Sequence, residues 1–155
     1  MMECSSFIKL TPDDLLSGHA TFNMYTFMLR VMKSYHFPLN NPLVKVKTIM
    51  FSARPGDLES KDDFFTLDNN LVVLETSLNN YNKTNYEYLN YNTVPCWLRL
   101  LIANRVASTG REWANAFLEF RSGTHNNQWQ VVDYNKYATY KKNLTAAEGI
   151  GKILK

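Results

Sequence analysis

The apolar residues of this chain change their period repeatedly, and neither an all-helical nor an all-strand fold accommodates that. From Val44 to Ala53 (Val-Lys-Val-Lys-Thr-Ile-Met-Phe-Ser-Ala) they alternate, as on a strand buried on one side. From Trp97 onward they return every three or four residues: Trp97, Leu100, Leu101 and Val106, then Trp113, Ala116, Phe117 and Phe120. Thr93-Val94-Pro95 opens the first of these helices with an N-cap and an early proline, and Ser108-Thr109-Gly110 separates it from a second helix over 111–121.

Further strand patterns lie at 5–10, 14–20, 63–67, 71–78 and 128–134. Thr11-Pro12-Asp13-Asp14, Arg54-Pro55-Gly56-Asp57 and Asp68-Asn69-Asn70 supply turns between them. Phe22, Tyr25, Met28, Leu29 and Met32 fall at helical spacing, which predicts an amphipathic helix over 21–36 ending before Pro38. Residues 79–93, rich in Asn and Tyr, read as a surface loop carrying the Asn82-Lys83-Thr84 sequon. Strand pair, helix, meander, two helices and strand together predict an α+β fold in layers.

At 155 residues, 45% of them hydrophobic and 20% charged, the chain can build one core, as one domain or part of one. No apolar run approaches the ~20 residues of a membrane helix, so no transmembrane segment is expected. The net charge of +3 is spread over interspersed signs, which does not predict a nucleic-acid partner. Lys136, Lys141, Lys142, Lys152 and Lys155 against Glu148 read as a solvated polar end, and Gly149-Ile150-Gly151 as a tail linker. The first residues lack the basic-then-apolar pattern of a signal peptide, so the chain as written reads as cytosolic.

There is no Gly-rich phosphate loop, HExxH, CxxC or GxSxG, and His19, His36 and His125 lack ligand spacing, so no metal or cofactor is expected. The two cysteines, Cys4 and Cys96, are far apart and leave a buried thiol or one disulfide open. Cys4 itself has two readings. It is either a buried thiol that begins a strand or, if the residues before it are removed, a complete catalytic unit. Its thiol would be the nucleophile and its own α-amino group, with a pKa near ~7.7–8.0, the base.

Blocks of sequence favour the second reading. Cys-Ser-Ser-Phe-Ile-Lys-Leu at 4–10, Gly-His-Ala-Thr-Phe-Asn at 18–23 and Met-Leu-Arg-Val-Met-Lys at 28–33 are followed by Ser-Ala-Arg-Pro-Gly at 52–56, Asp-Asp-Phe-Phe at 62–65 and Leu-Glu-Thr-Ser at 74–77. Ala-Asn-Arg-Val-Ala-Ser at 103–108 and Ser-Gly-Thr-His-Asn-Asn-Gln-Trp-Gln-Val-Val-Asp-Tyr at 122–134 complete the series. In this order they resemble the phospholipase B-like family over residues 4 to about 137.

The resemblance implies a partial N-terminal-nucleophile hydrolase fold, an αββα sandwich whose precursor is cut before a cysteine that Cys4 matches. It implies His19 as a second active-site residue and Ser77 as a pocket hydroxyl where relatives carry Thr. Phe22 would be an aromatic pocket wall where relatives carry Trp, and Asn126-Asn127-Gln128-Trp129 buried polar scaffolding. Residues 1–3 would be a remnant preceding the cleavage site, 4–137 an incomplete hydrolase domain, and 138–155 an unmatched basic tail. The family's further active-site Asn and Arg lie beyond this sequence. The expected substrate is an acyl ester or acyl amide of a lipid, in a lysosomal or secreted setting. The alternative is a non-catalytic fragment that serves as a binding or assembly subunit, with the missing remainder of the fold or a second copy as partner.

Overall fold

A computed structural model describes residues 3–60, 63–125 and 127–146. Met1, Met2, Asp62, Asn126, Glu148, Gly149-Ile150-Gly151, Lys152 and Lys155 lie outside these residues. Two antiparallel sheets and a helical layer make an α+β architecture. Strands β1 (Glu3–Leu10) and β2 (Leu15–Phe22) form a hairpin. The second sheet runs in the order β3 (Val31–His36), β4 (Thr48–Ala53), β5 (Phe64–Leu67), β6 (Leu71–Ser77) and β7 (Asn127–Asp133). Helices α1 (Cys96–Val106) and α2 (Gly110–Leu118) cover one face, and α3 (Tyr134–Ala146) follows β7.

The turns form where the residues allow them. Arg54-Pro55-Gly56-Asp57 closes with Asp57 N–H on the Arg54 carbonyl at 3.2 Å, and Gly56 takes the φ of +84° that a type II turn requires. Asn70, at φ +67°, reverses the chain between β5 and β6, a conformation Asn tolerates better than most residues.

Alternation aims Ile49, Phe51 and Ala53 of β4, Phe65 and Leu67 of β5, and Leu71 and Val73 of β6 at the helices, where they meet Leu100, Ala103, Trp113 and Phe117. Phe51 stacks on Phe65 at 5.6 Å, and Trp113 on Phe117 at 4.9 Å with Trp129 against both. Each such side chain removed from water contributes about 1.5–3 kcal/mol. Polar ties fix the helix pair within this apolar layer. Trp113 Nε1 donates to buried Asn104 Oδ1 at 2.7 Å. Arg99 donates to the carbonyls of Val94 and Phe117 while lying over the Phe117 ring.

The hairpin packs on the other face. Ser6 Oγ donates to Gln130 Oε1 at 3.0 Å, and Tyr134 Oη donates to the Leu15 carbonyl at 3.0 Å and lies 3.1 Å from Ser17 Oγ. Leu74 and Val132, whose side chains alternate with the core set, are buried on this side. Gly18 faces Phe7 across the hairpin, and a Cβ there would collide with the Phe7 ring.

Three expectations need correction. The helix over 21–36 does not form: β2 runs through Phe22, Tyr25–Phe27 makes one 3-10 turn, and Val31–His36 is the edge strand beside β4. Tyr25, Met28 and Leu29 are exposed, so the supposed helical stripe had no core to meet, whereas the open edge of β4 offered a full ladder. The strand over 44–53 is shorter, because Lys45 and Val46 donate their N–H groups to the Arg105 carbonyl at the end of α1 instead of to a strand. The second helix ends at Leu118, and Phe120, at φ +49°, is exposed rather than in the core. Residues 79–93 are a surface segment as expected, with a 3-10 helix at Lys83–Tyr88 capped by the Asn82 side chain. Among the described residues no helix is long and apolar enough to cross a membrane.

An open cavity of about 540 Å³ lies between β4 and α1, lined by Tyr35, Phe37, Phe51, Trp97 and Leu101, with Glu59 and Arg105 among its charged residues. Burial pushes the Glu59 carboxyl up to about 7, against the Ser60 backbone N–H and the attraction of Arg105 and Lys33. The folded state therefore holds the Glu59 proton more tightly than the unfolded chain. The stability this gives is complete below the ordinary value of 4.5 and is lost as pH rises through about 7. The urea midpoint is expected to fall between about pH 4.5 and about pH 7.5, and Glu59→Gln to flatten that slope. An unchanged slope in the variant would contradict the assignment to Glu59.

Candidate active site

Register places the site. Cys4 pairs with Thr21 and Ser6 with His19, and side chains of directly paired residues share a face of the hairpin. That face is the one turned toward β6 and β7, so Cys4 and His19 both point at the larger sheet. The Cys4 Sγ, a ring nitrogen of His19 and a carboxylate oxygen of Glu75 all lie within 4.8 Å of one another. Cys4 and His19 are half-buried and Glu75 is fully buried.

His19 Nε2 is 2.8 Å from the Glu75 backbone carbonyl. A carbonyl only accepts, so Nε2 carries the hydrogen and donates it, and in the neutral ring the lone pair is on Nδ1. The ring is thereby held in one tautomer beside a thiol. The cluster combines a thiol, an imidazole nitrogen and a carboxylate in a partly dry setting.

The end of β2 is fastened by a second buried acid. Asp63, 1% exposed, accepts hydrogen bonds from Thr21 Oγ1 and from Ser60 Oγ at 3.0 Å, and pairs with Arg30. Thr21 is the residue facing Cys4, so this carboxylate ties the strand pair that carries Cys4 to the segments that lead into β3 and β5.

Of the residues expected from sequence, Cys4 and His19 come together. Ser77 ends β6 two residues beyond Glu75, and its Oγ is buried with no hydrogen-bond partner among the described residues. Phe22 closes β2 opposite Glu3, 67% exposed; alternation turns it away from the face that bears His19 and Thr21. Asn127, Gln128 and Trp129 lie on β7. Glu75 and Asp63 were not singled out as site residues. The signal for Glu75 is a lone acid directly after the apolar run Leu71-Val72-Val73-Leu74, within one strand pattern, since a buried carboxylate needs a reason to be there. Asp63, directly before Phe64-Phe65, carries the same signal in weaker form.

Asp63→Ala is expected to lower unfolding stability by about 2–3 kcal/mol, below the ~3–5 kcal/mol of a fully buried pair because Arg30 is partly exposed. Thr21→Val, which leaves Asp63 its other partners, is expected to cost about 1 kcal/mol. Equal costs in urea titrations would contradict the central place given to Asp63.

A family model described as Phospholipase B matches residues 1–150. Curated relatives in Dictyostelium discoideum include "Phospholipase B-like protein A", 43% identical over 138 residues, and "Phospholipase B-like protein B", 44% identical over 137. Each of these alignments covers 86% of this chain and 24% of the relative. "Phospholipase B-like protein G" is 36% identical over 150 residues, 95% of this chain and 25% of its own length. The chain thus spans about a quarter of the length of the curated relatives it matches.

Proposed function

The chain belongs to the phospholipase B family, and we propose that it carries the nucleophile of an N-terminal-nucleophile hydrolase that opens acyl ester or amide bonds of lipids. The observation that carries this reading is the convergence of Cys4, His19 and Glu75 at the first residues of β1.

Maturation comes first. The Cys4 thiol attacks the Glu3 carbonyl, a C–S bond forms, and the Glu3–Cys4 peptide bond breaks with its nitrogen taking a proton. Water then hydrolyses the thioester, releasing Met1-Met2-Glu3 and leaving Cys4 with a free thiol and α-amine. In turnover the α-amine takes the thiol proton and the thiolate attacks the substrate carbonyl. The alcohol or amine leaves with a proton, and water cleaves the acyl-enzyme.

His19, whose Nε2 is taken by the Glu75 carbonyl, keeps Nδ1 as the proton-accepting nitrogen of a ring that lies beside the Cys4 sulfur. The buried Ser77 hydroxyl supplies a donor for a substrate oxygen. Phe22, opposite Glu3 in the register, offers an exposed aromatic surface beside the scissile bond. The hairpin's outer face, with Phe7, Leu16 and Phe22 exposed, suits coverage by the remainder of the family's fold. A lysosomal or secreted setting accords with the family resemblance.

Intact-mass measurement is expected to show the purified chain without Met1-Met2-Glu3, and Cys4→Ala to retain them. A folded wild-type chain that stays unprocessed contradicts the proposal. In the processed chain, Cys4 is expected to react with a thiol reagent at least about tenfold faster than Cys96, which is 1% exposed at the start of α1. Preferential labelling of Cys96 would remove Cys4 as nucleophile.

A further inference from the structure

We propose that Cys4, His19 and Glu75 form a binding site for a zinc-type divalent cation, and that the cation silences the thiol by occupying it. The inference deepens the proposed function, because it assigns a regulator to the same sulfur. The binding itself needs only the three side chains and holds whether or not the chain is a hydrolase.

The donor set selects the metal. A thiolate, an imidazole and one carboxylate match the borderline-soft preference of Zn²⁺, whereas Mg²⁺ and Ca²⁺ seek oxygen ligands throughout. With metal–ligand bonds of about 2.0–2.3 Å, tetrahedral donors stand roughly 3.3–3.8 Å apart. The sulfur, a ring nitrogen of His19 and a carboxylate oxygen already lie within 4.8 Å of one another, so the donors have to close by up to about 1–1.5 Å.

The second support is the hydrogen bond behind the imidazole. Metal-binding histidines typically donate their other ring N–H to a carbonyl or carboxylate, which fixes the tautomer and raises the basicity of the ligating nitrogen. His19 Nε2 does this on the Glu75 carbonyl at 2.8 Å, which makes Nδ1 the nitrogen for the metal. Glu75 would therefore serve the site twice, through its main chain and through its carboxylate.

The fourth position links the site to maturation. In the uncut chain the Cys4 nitrogen is a peptide N–H and cannot ligate, so water fills the position. Once Cys4 is the first residue, its α-amine and thiol can chelate together in a five-membered ring and complete an N₂SO set. Processing should therefore tighten binding, and the ion should withhold from catalysis both the thiol and the α-amine that activates it.

The test is titration of the purified 155-residue chain with Co²⁺, whose thiolate charge-transfer absorption in the near ultraviolet reports a metal–sulfur bond. One equivalent is expected to bind with that band, to be displaced by Zn²⁺, and to protect Cys4 but not Cys96 from a thiol reagent by at least about tenfold. The band should vanish in Cys4→Ser, persist in Cys96→Ser, and need about tenfold or more metal in Glu75→Gln. Cys4→Ser changes one atom, and circular dichroism checks that it folds. Absence of the band at millimolar Co²⁺ in the folded wild type, or its loss with Cys96 instead of Cys4, overturns the inference. A chain that shows the band but, once the metal is removed with a chelator, neither self-cleaves nor turns over keeps the metal site and rejects the hydrolase reading. One that processes and turns over without the band, untouched by Zn²⁺, does the reverse.

Discussion

A carboxylate at 1% exposure has lost nearly all its water, and Asp63 is such a group. Removing its charge from solvent costs several kcal/mol unless the protein replaces the lost interactions. Here the replacements come from three separate stretches of chain: Thr21 at the end of β2, Arg30 just before β3, and Ser60 before β5. None of these can drift without exposing the others to the same penalty. The hairpin, which buries little apolar surface on its outer side, is therefore located on the sheet by polar contacts as much as by hydrophobic ones. Thr21 is the residue that faces Cys4, so the position of the thiol follows from the satisfaction of a buried acid just before β5.

Strand β6 carries the consequence into the core. Leu71 and Val73 face the helices, Leu74 faces the hairpin, and the Glu75 carbonyl holds His19. A strand paired on both sides and packed on both faces has little freedom to slide, because a one-residue slip would exchange its two sets of side chains. The aromatic group of Trp113, Phe117 and Trp129 thus acts at a distance on the site, by fixing the register of the strands that carry Glu75 and Gln130.

How much of this was legible in the sequence varies with the range of the interactions. The alternation through Phe51 and the turns at Gly56 and Asn70 are local, and each can be read from a few residues. The helix periods around Leu100 and Trp113 were legible for the same reason. Residues 21–36 misled because Met28, Leu29 and Met32 satisfy a helical period equally well. The choice was made by the unpaired edge of β4, about twenty residues downstream. Cys4 and His19 were legible only through resemblance to a family; nothing local distinguishes Cys4 from an ordinary buried thiol. Glu75 is not legible as a site residue because its neighbours in the cluster come from strands far away in sequence, and a period of two says only that such a residue sits on a strand. The helix over Tyr134–Ala146 was also unforeseen. Its run of polar residues lacks an apolar stripe, and it forms where Tyr134 anchors its first turn to the hairpin.

The features that suit Cys4 to nucleophilic attack also suit it to metal ligation, and the two uses exclude each other in time. A thiolate is stabilised by whatever nearby group favours negative charge on sulfur, and a bound cation does so more strongly than an α-amine or an imidazole. A site poised for thiolate chemistry in a protein interior therefore risks capture by any thiophilic metal that fits. The fit depends on the neighbours. An apolar residue in place of Glu75 would leave the uncut chain with only sulfur and one imidazole nitrogen, a pair too poor in donors to hold zinc in preference to water. With the acid present, and His19 oriented by the main chain of the same residue, the donors are nearly complete before any metal arrives. Glu75 is costly to bury in strand β6, and a role in orienting His19 through its carbonyl would not require its side chain at all. Its carboxylate lies in the cluster with Cys4 and His19, where a bound cation would use it as a third ligand.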